Sequence, residues 1–98
     1  MKVAWTNRAF DHLLRIREHL GLTSPVYADQ VMDRLIARSE QLSDFPKAGR
    51  QVLEYAQDDV RELVAPPYRL IYRVRPERVD ILTVVHGRQQ LPPRATDL

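Results

Sequence analysis

The spacing of the apolar residues changes once along this chain, and that change constrains the fold more than any other feature of the sequence. Between Ala9 and Leu42 the apolar residues recur at intervals of three and four, which is the period of an amphipathic helix. After Gly49 they alternate with polar residues, which is the period of a half-buried strand. A helical half followed by a strand half predicts an α+β fold, in which helices pack on one face of a mainly antiparallel sheet.

Two helices are predicted in the first half of the chain. The first is expected over Asn7–Leu20, after a short strand at Lys2–Thr6. The second is expected over Pro25–Leu42, because Ser24 is a good N-cap residue and proline suits the first helical turn. Together they predict a helix hairpin. The apolar residues that this hairpin is expected to bury are Ala9, Phe10, Leu13, Ile16, Leu20, Ala28, Val31, Met32, Leu35, Ile36 and Leu42.

The second half predicts an antiparallel sheet of about four strands within a single domain that spans residues 1–98. Branched and aromatic residues, which favour strands, are concentrated in the last two of these segments. The tail from Gly87 to Leu98 contains few apolar residues and is expected to be extended or mobile. The predicted strands are Gln51–Ala56, Val60–Ala65, Tyr68–Val74 and Val79–His86.

The register of the last hairpin follows from its turn. With Pro76 and Glu77 as the turn residues, Val74 lies opposite Val79, and residues opposite one another share a face. The face expected to meet the helices holds Leu70, Tyr72, Val74, Val79, Ile81, Thr83 and Val85. The other face is expected to hold Arg69, Ile71, Arg73, Asp80, Leu82, Val84 and His86, with Arg69 opposite Val84. This register predicts a shallow basic groove on the face that the helices leave open.

The charges are unevenly distributed, although the chain has 15 basic and 13 acidic residues and a net charge of only +2. From Arg61 onward there are seven arginines and four acids. Arginine favours two-pronged contacts with phosphate and carboxylate, so this half is expected to meet an anionic partner. The chain has no cysteine and no apolar run of membrane-spanning length. We therefore expect a cytoplasmic protein with no metal, no cofactor and no membrane partner.

Four short motifs along the chain together resemble the RelE/ParE toxin superfamily of type II toxin–antitoxin systems. They are Pro46–Arg50 (PKAGR), Val60–Leu63 (VREL), Tyr68–Val74 (YRLIYRV) and Ile81–Arg88 (ILTVVHGR). Their order and spacing are those of the superfamily, and the resemblance covers nearly the whole chain.

The resemblance implies a toxin that arrests growth and is neutralised by a cognate antitoxin, whose C-terminal segment wraps around it. ParE-like members inhibit DNA gyrase, whereas RelE-like members cut messenger RNA on the ribosome without a metal. The pair as a whole represses its promoter, so the toxin reaches operator DNA only through the antitoxin. We expect a small acidic antitoxin to bind the basic groove and the helix hairpin.

Matching single residues to the superfamily favours the ParE-like branch. Arg69 matches the arginine that RelE-like enzymes place against the scissile phosphate, but Val60 and Glu62 stand where RelE has two lysines. No tyrosine follows Tyr72 to match the late tyrosine of RelE. Other ribonuclease branches use a histidine near the end of the last strand, which His86 matches. Gyrase inhibition is therefore favoured.

The alternatives remain open at the level of single residues. In a metal-independent ribonuclease, Arg69 stabilises the phosphate charge and His86 transfers the proton. Arg61, Arg73 and Arg88 are candidate contacts for the antitoxin or nucleic acid. Each also has a purely structural interpretation. Arg69 can pair with Glu62, Arg73 can pair across the hairpin with Asp80, His86 can be a satisfied strand-end histidine, and Arg61 and Arg88 can be solvated charges. A third possibility is an antitoxin-binding protein that has lost its toxicity.

Overall fold

A computed structural model describes all of residues 1–98. It confirms the predicted α+β fold, in which two helices pack on a mainly antiparallel sheet, although the sheet has five strands and not four. No helix in it combines the length and the apolarity that a membrane crossing needs. The elements are β1 (Lys2–Trp5), α1 (Asn7–Gly21), α2 (Pro25–Glu40), β2 (Arg50–Gln51), β3 (Val60–Ala65), β4 (Tyr68–Val74) and β5 (Arg78–His86), with 3₁₀ turns at Gln41–Ser43 and Ala95–Asp97.

The two helices begin at the predicted residues, Asn7 and Pro25, and a side chain caps each of them. The hydroxyl of Thr6 accepts a hydrogen bond from the backbone N–H of Ala9 at 3.1 Å. The hydroxyl of Ser24 accepts one from the N–H of Tyr27 at 3.2 Å, and Pro25 occupies the first turn of α2. These caps satisfy N–H groups that have no partner inside the helix.

The sheet has the strand order β1-β5-β4-β3-β2, with β1 parallel to β5 and all other neighbours antiparallel. Strand β2 is only two residues long, so the predicted strand Gln51–Ala56 was too long. After Gln51 the chain forms a turn, in which the N–H of Ala56 donates to the carbonyl of Val52 at 2.9 Å and Ala56 has a φ of 51°.

The predicted register of the last hairpin is right as far as Tyr72, which lies opposite Ile81, and wrong beyond it. The next pair joins Ile71 to Thr83, which leaves Leu82 as an unpaired bulge residue. An extra residue in one strand reverses the faces of all residues that follow it. Every side chain of β5 after the bulge is therefore on the face opposite to the one predicted.

The pairing of Arg69 shows the result of this shift. Arg69 lies opposite Val85 and not Val84. Val84 packs with the helix-side core, while Val85 packs in a second, smaller core on the other face. The bulge lies beside Thr6, which connects β1 to α1. The hydroxyl of Thr6 donates a hydrogen bond to the carbonyl of the bulge residue Leu82 at 3.4 Å.

The tail, predicted to be extended or mobile, folds over the far face of the sheet. Leu91 and Ala95 are buried there in the second core. The hydroxyl of Tyr55 donates to the carbonyl of Pro92 at 2.8 Å, and Arg8 donates to the carbonyl of Asp97. The tail therefore fills part of the face that was expected to be an open groove. The second core consists of Val52, Val60, Ile71, Val85, Leu91 and Ala95.

Candidate functional site

Four charged residues form a cluster on the sheet face away from the helices, which we call the arginine–carboxylate cluster: Arg50, Glu54, Glu62 and Arg69. Glu62 lies at its centre with only 1% of its side chain exposed. Its Oε1 accepts a hydrogen bond from Nε of Arg50 at 2.7 Å, and its Oε2 accepts one from Nε of Arg69 at 2.7 Å. A buried carboxylate needs such partners, because burial without them is costly.

The guanidinium of Arg69 is held from two sides. Besides Glu62, it contacts Glu54 as a fork: Nη1 donates to Oε2 at 2.9 Å and Nη2 donates to Oε1 at 3.1 Å. The hydrogen bond from Arg69 lowers the pKa of Glu54, and the bond to Glu54 raises the pKa of Arg69. Only 13% of the Arg69 side chain is exposed. The carboxylate of Glu54 therefore occupies the position at Arg69 that a bound phosphate would take.

His86 lies on the other side of the sheet from Arg69. It is paired with Tyr68, whose ring is part of the helix-side core, and the two rings meet edge to face with their centroids 6.0 Å apart. The backbone N–H of Arg88 donates to Nδ1 of His86 at 3.3 Å, and the imidazole is exposed. The bulge thus separates the two residues that sequence reasoning had placed on one face.

The structure gives Arg61 local partners. Nη1 of Arg61 donates to the carbonyl of Gly49 at 2.8 Å, and Nη2 donates to Oδ1 of Asp58 at 2.7 Å. Asp58 also accepts from Lys47 at 2.9 Å, and the hydrogen bonds from Lys47 and Arg61 lower its pKa. Arg61 therefore ties the two loops that flank β2 to each other.

Arg73 lies opposite Asp80, as the sequence predicted, but the two do not form the expected ion pair. Asp80 is bound by Nε of Arg78 at 2.8 Å and Nε of Arg75 at 3.2 Å. Burial acts to raise the pKa of Asp80, and the hydrogen bonds from these two arginines outweigh it and lower the pKa. Nε of Arg73 lies 3.4 Å from a carboxylate oxygen of Asp59.

Arg88 differs from the other predicted arginines, because its side chain is exposed and contacts no carboxylate. Arg61, Arg73 and Arg88 each have a different environment. Of the five residues singled out in the sequence, the structure therefore gathers none into a shared pocket: Arg69 lies in its cluster, while Arg61 and Arg73 have their own carboxylates.

His12 makes a polar contact that the sequence pattern does not indicate. Its Nδ1 lies 2.7 Å from the hydroxyl of Thr83, which is buried. Burial lowers the pKa of His12, with Arg15 and Arg8 adding to the effect. The contact joins residues that lie 71 positions apart in the chain, and no local pattern marks either of them. No group of three or more His, Cys, Asp or Glu residues lies in an arrangement that could hold a metal ion.

The outer side of the helix hairpin carries an apolar groove, which we call the hairpin groove. Phe10 of α1 and Ile36 of α2, both predicted to be buried, remain 51% and 40% exposed. The apolar stripe of each helix is wider than its contact with the sheet, and periodicity alone does not reveal this. The groove has a volume of about 420 Å³ and is lined by Phe10, Leu13, Leu14, Arg17, Asp29, Met32, Asp33 and Ile36.

Comparison with known proteins agrees with this fold. The family described as "ParE toxin of type II toxin-antitoxin system, parDE" matches residues 3–91. The chain is similar to the toxin RelE2 of Caulobacter vibrioides, with 36% identity over 87 residues that cover 88% of this chain and 94% of that protein. It is also similar to the putative toxin Y4kP of Sinorhizobium fredii, with 33% identity over 93 residues that cover 93% of each chain.

A solved structure described as the chromosomal ParDE toxin–antitoxin system from P. aeruginosa shares the fold. Its TM-score is 0.73 at 22% identity, over 88% of this chain and 95% of that one. The fold and the relatives define the class of protein, a toxin of the RelE/ParE superfamily. Within that class, the chain belongs to the ParE toxin family of type II toxin–antitoxin systems. A cognate antitoxin is therefore its partner.

Proposed function

We propose that this toxin acts in the cytoplasm by binding and inhibiting DNA gyrase, not by cutting RNA. The observation that carries the proposal is that Arg69 and His86 lie on opposite faces of the sheet. Metal-free cleavage of RNA needs a charge stabiliser and a proton donor at the same phosphodiester. A phosphodiester that reached Arg69 on the far face has no contact with an imidazole that packs beside Tyr68.

The charge around Arg69 supports the same proposal. Val60 and Glu62 occupy the positions at which RelE itself carries two lysines, and both are buried. Glu62 brings a negative charge to within hydrogen-bond distance of Arg69. A scissile phosphate that approached Arg69 would have to compete with the two carboxylates that already hold this guanidinium, Glu54 and Glu62. This arrangement suits a protein-binding surface better than a ribonuclease centre.

The cognate antitoxin is proposed to bind both the hairpin groove and the arginine-lined far face. The groove fits the apolar side of an amphipathic helix, because its apolar residues come from two adjacent helices and are bordered by Arg17, Asp29 and Asp33. Operator DNA is then contacted through the antitoxin.

The decisive experiment measures two activities of the same purified protein. Supercoiling by DNA gyrase is expected to fall as toxin is added, and His86→Gln is expected to inhibit as strongly as the wild type. His19→Gln, a change of another exposed histidine, is the matched control. Messenger RNA on purified ribosomes is expected to stay intact. Cleavage of that message by the wild type, lost in His86→Gln but not in His19→Gln, overturns the proposal in favour of a ribonuclease.

A further inference from the structure

The arginine–carboxylate cluster is neutral as it stands, with two arginines and two glutamates. An acidic antitoxin therefore gains little from the far face unless one carboxylate first leaves. The two carboxylates differ in how firmly they are held. Glu62 is buried and accepts from both arginines, whereas Glu54 is 43% exposed and accepts from the side chain of Arg69 alone.

We propose that Arg69 is an exchange site, at which an aspartate or glutamate side chain of the antitoxin replaces Glu54. The inference rests on the proposed antitoxin partner and identifies one chemical contact in that complex. Glu54 holds the guanidinium through both of its outer nitrogens, in the fork that any carboxylate can adopt. An incoming carboxylate takes over the same two hydrogen bonds, and Glu62 keeps Arg69 in place throughout.

The turn that carries Glu54 does not depend on this contact. The N–H groups of Tyr55 and Ala56 both donate to the carbonyl of Val52, at 3.1 and 2.9 Å. The hydroxyl of Tyr55 also holds the turn to Pro92 of the tail. Glu54 can therefore rotate into solvent while the turn keeps its backbone. Exchange requires a side-chain rotation and no unfolding.

The surroundings favour a peptide over a nucleic acid as the source of the anion. Two exposed apolar residues are neighbours of the site: Leu53 precedes Glu54 in the turn, and Val64 lies opposite Arg69 on β3. A strand of nucleic acid brings a phosphate with every nucleotide and needs several unpaired cations. Here Arg50 is already bound to Glu62, and Arg61 and Arg73 lie beside their own carboxylates. A peptide that carries one carboxylate side chain between apolar residues therefore matches the site.

The test compares Glu54→Gln with Asp58→Asn in the full-length toxin. Asp58 is the matched control, because it is also an arginine-bound carboxylate and its loss adds the same charge, but it contacts Arg61 and not Arg69. The probe is acetylated hexaglutamate at low salt. Its binding is measured by NMR from the shift of the Nε–H signal of Arg69. The Glu54→Gln protein is expected to bind the peptide about two- to fivefold more tightly than the wild type, the range that an exposed ion pair supports. Asp58→Asn is expected to bind like the wild type.

A double variant shows whether the gain depends on the fork. Arg69→Lys in the Glu54→Gln protein keeps the charge and the contact with Glu62 but removes the two-pronged geometry, so the gain is expected to disappear. An equal gain in Asp58→Asn, or a gain that survives Arg69→Lys, overturns the proposal. A larger gain for a six-nucleotide single-stranded RNA than for the peptide also overturns it, in favour of a nucleic acid. Gyrase inhibition is measured on the same samples, so that its absence in the wild type counts against the proposed target and not against the exchange.

Discussion

The backbone N–H of Gly49 donates to the hydroxyl of Tyr72 at 2.9 Å, and this contact leaves no room for a side chain at position 49. A β-carbon there would lie 2.7 Å from that hydroxyl and 2.3 Å from the carbonyl oxygen of Glu62. Glycine is needed at this position because β2 approaches β3 and the Tyr72 side chain so closely. The presence of glycine in the Pro46–Arg50 motif therefore has a structural explanation.

Gly49→Ala is therefore expected to destabilise the fold. The backbone of β2 must move away from Glu62, and overpacking of this kind costs about 1–3 kcal/mol of the free energy of unfolding. Urea denaturation measures the change. Gly21→Ala is the matched control, since a β-carbon there meets nothing within 4 Å and alanine favours a helix. Equal stability of the two variants would mean that β2 is free to shift.

Glu62→Gln is expected to lower the free energy of unfolding even though the side chain keeps its size. The change leaves Arg50 and Arg69 without the buried carboxylate that both of them contact. Loss of one partner of a fully buried pair costs about 3–5 kcal/mol. We expect about 2 kcal/mol here, because the Arg50 side chain is 65% exposed and water screens it. Asp58→Asn removes an exposed carboxylate with two basic partners, and an equal loss in that variant would contradict the special role of Glu62.

His12 is expected to make the fold less stable as the pH falls below neutrality. Its pKa is lowered in the folded protein by burial and by Arg15 and Arg8, so the unfolded chain takes up a proton first. The stabilisation from neutral His12 is thus complete above its ordinary value of 6.5 and is lost as the pH falls from there through the folded pKa. Denaturation between pH 5 and 7.5 is expected to show a slope that His12→Gln reduces. His19→Gln, on the same helix but exposed, is expected to keep the slope.

The parts of this fold that sequence predicted well are those governed by neighbouring residues. Thr6 and Ser24 cap their helices through hydrogen bonds that span three residues, so the helix starts were correct. The bulge at Leu82 arises where β5 meets the end of β1 and the start of α1, far away in the chain, and no local pattern marks it. That single unpaired residue decided the faces of His86 and Thr83, and with them the candidate site.

The arginines were predicted as a group, but only some of their partners were. Glu62 was weighed as a partner of Arg69, and the structure adds Glu54 from a segment that had been predicted as a strand. The tail was predicted to be extended or mobile because it contains few apolar residues. Leu91 and Ala95 nevertheless suffice to anchor it, since Ile71 and Val85 offer an apolar surface on the far face. Sequence patterns indicate which residues of an element are apolar, not which distant segment covers them.

The hairpin groove leads to the last prediction, which concerns the antitoxin. Phe10→Ser and Ile36→Ser are expected to weaken antitoxin binding strongly, because truncating a large side chain at the centre of an apolar interface typically costs about 2 kcal/mol or more, roughly 30-fold in affinity. Both residues are about half exposed, so the free energy of unfolding is expected to fall by less than about 1 kcal/mol. Affinity is measured by calorimetry with the antitoxin purified after coexpression of the adjacent gene. Leu22→Ser is the matched control, because Leu22 is exposed between the helices but does not line the groove. If Phe10→Ser binds the antitoxin as tightly as Leu22→Ser does, the groove is not the antitoxin surface. Weakened binding by Leu22→Ser alone would instead place the antitoxin at the tip of the hairpin.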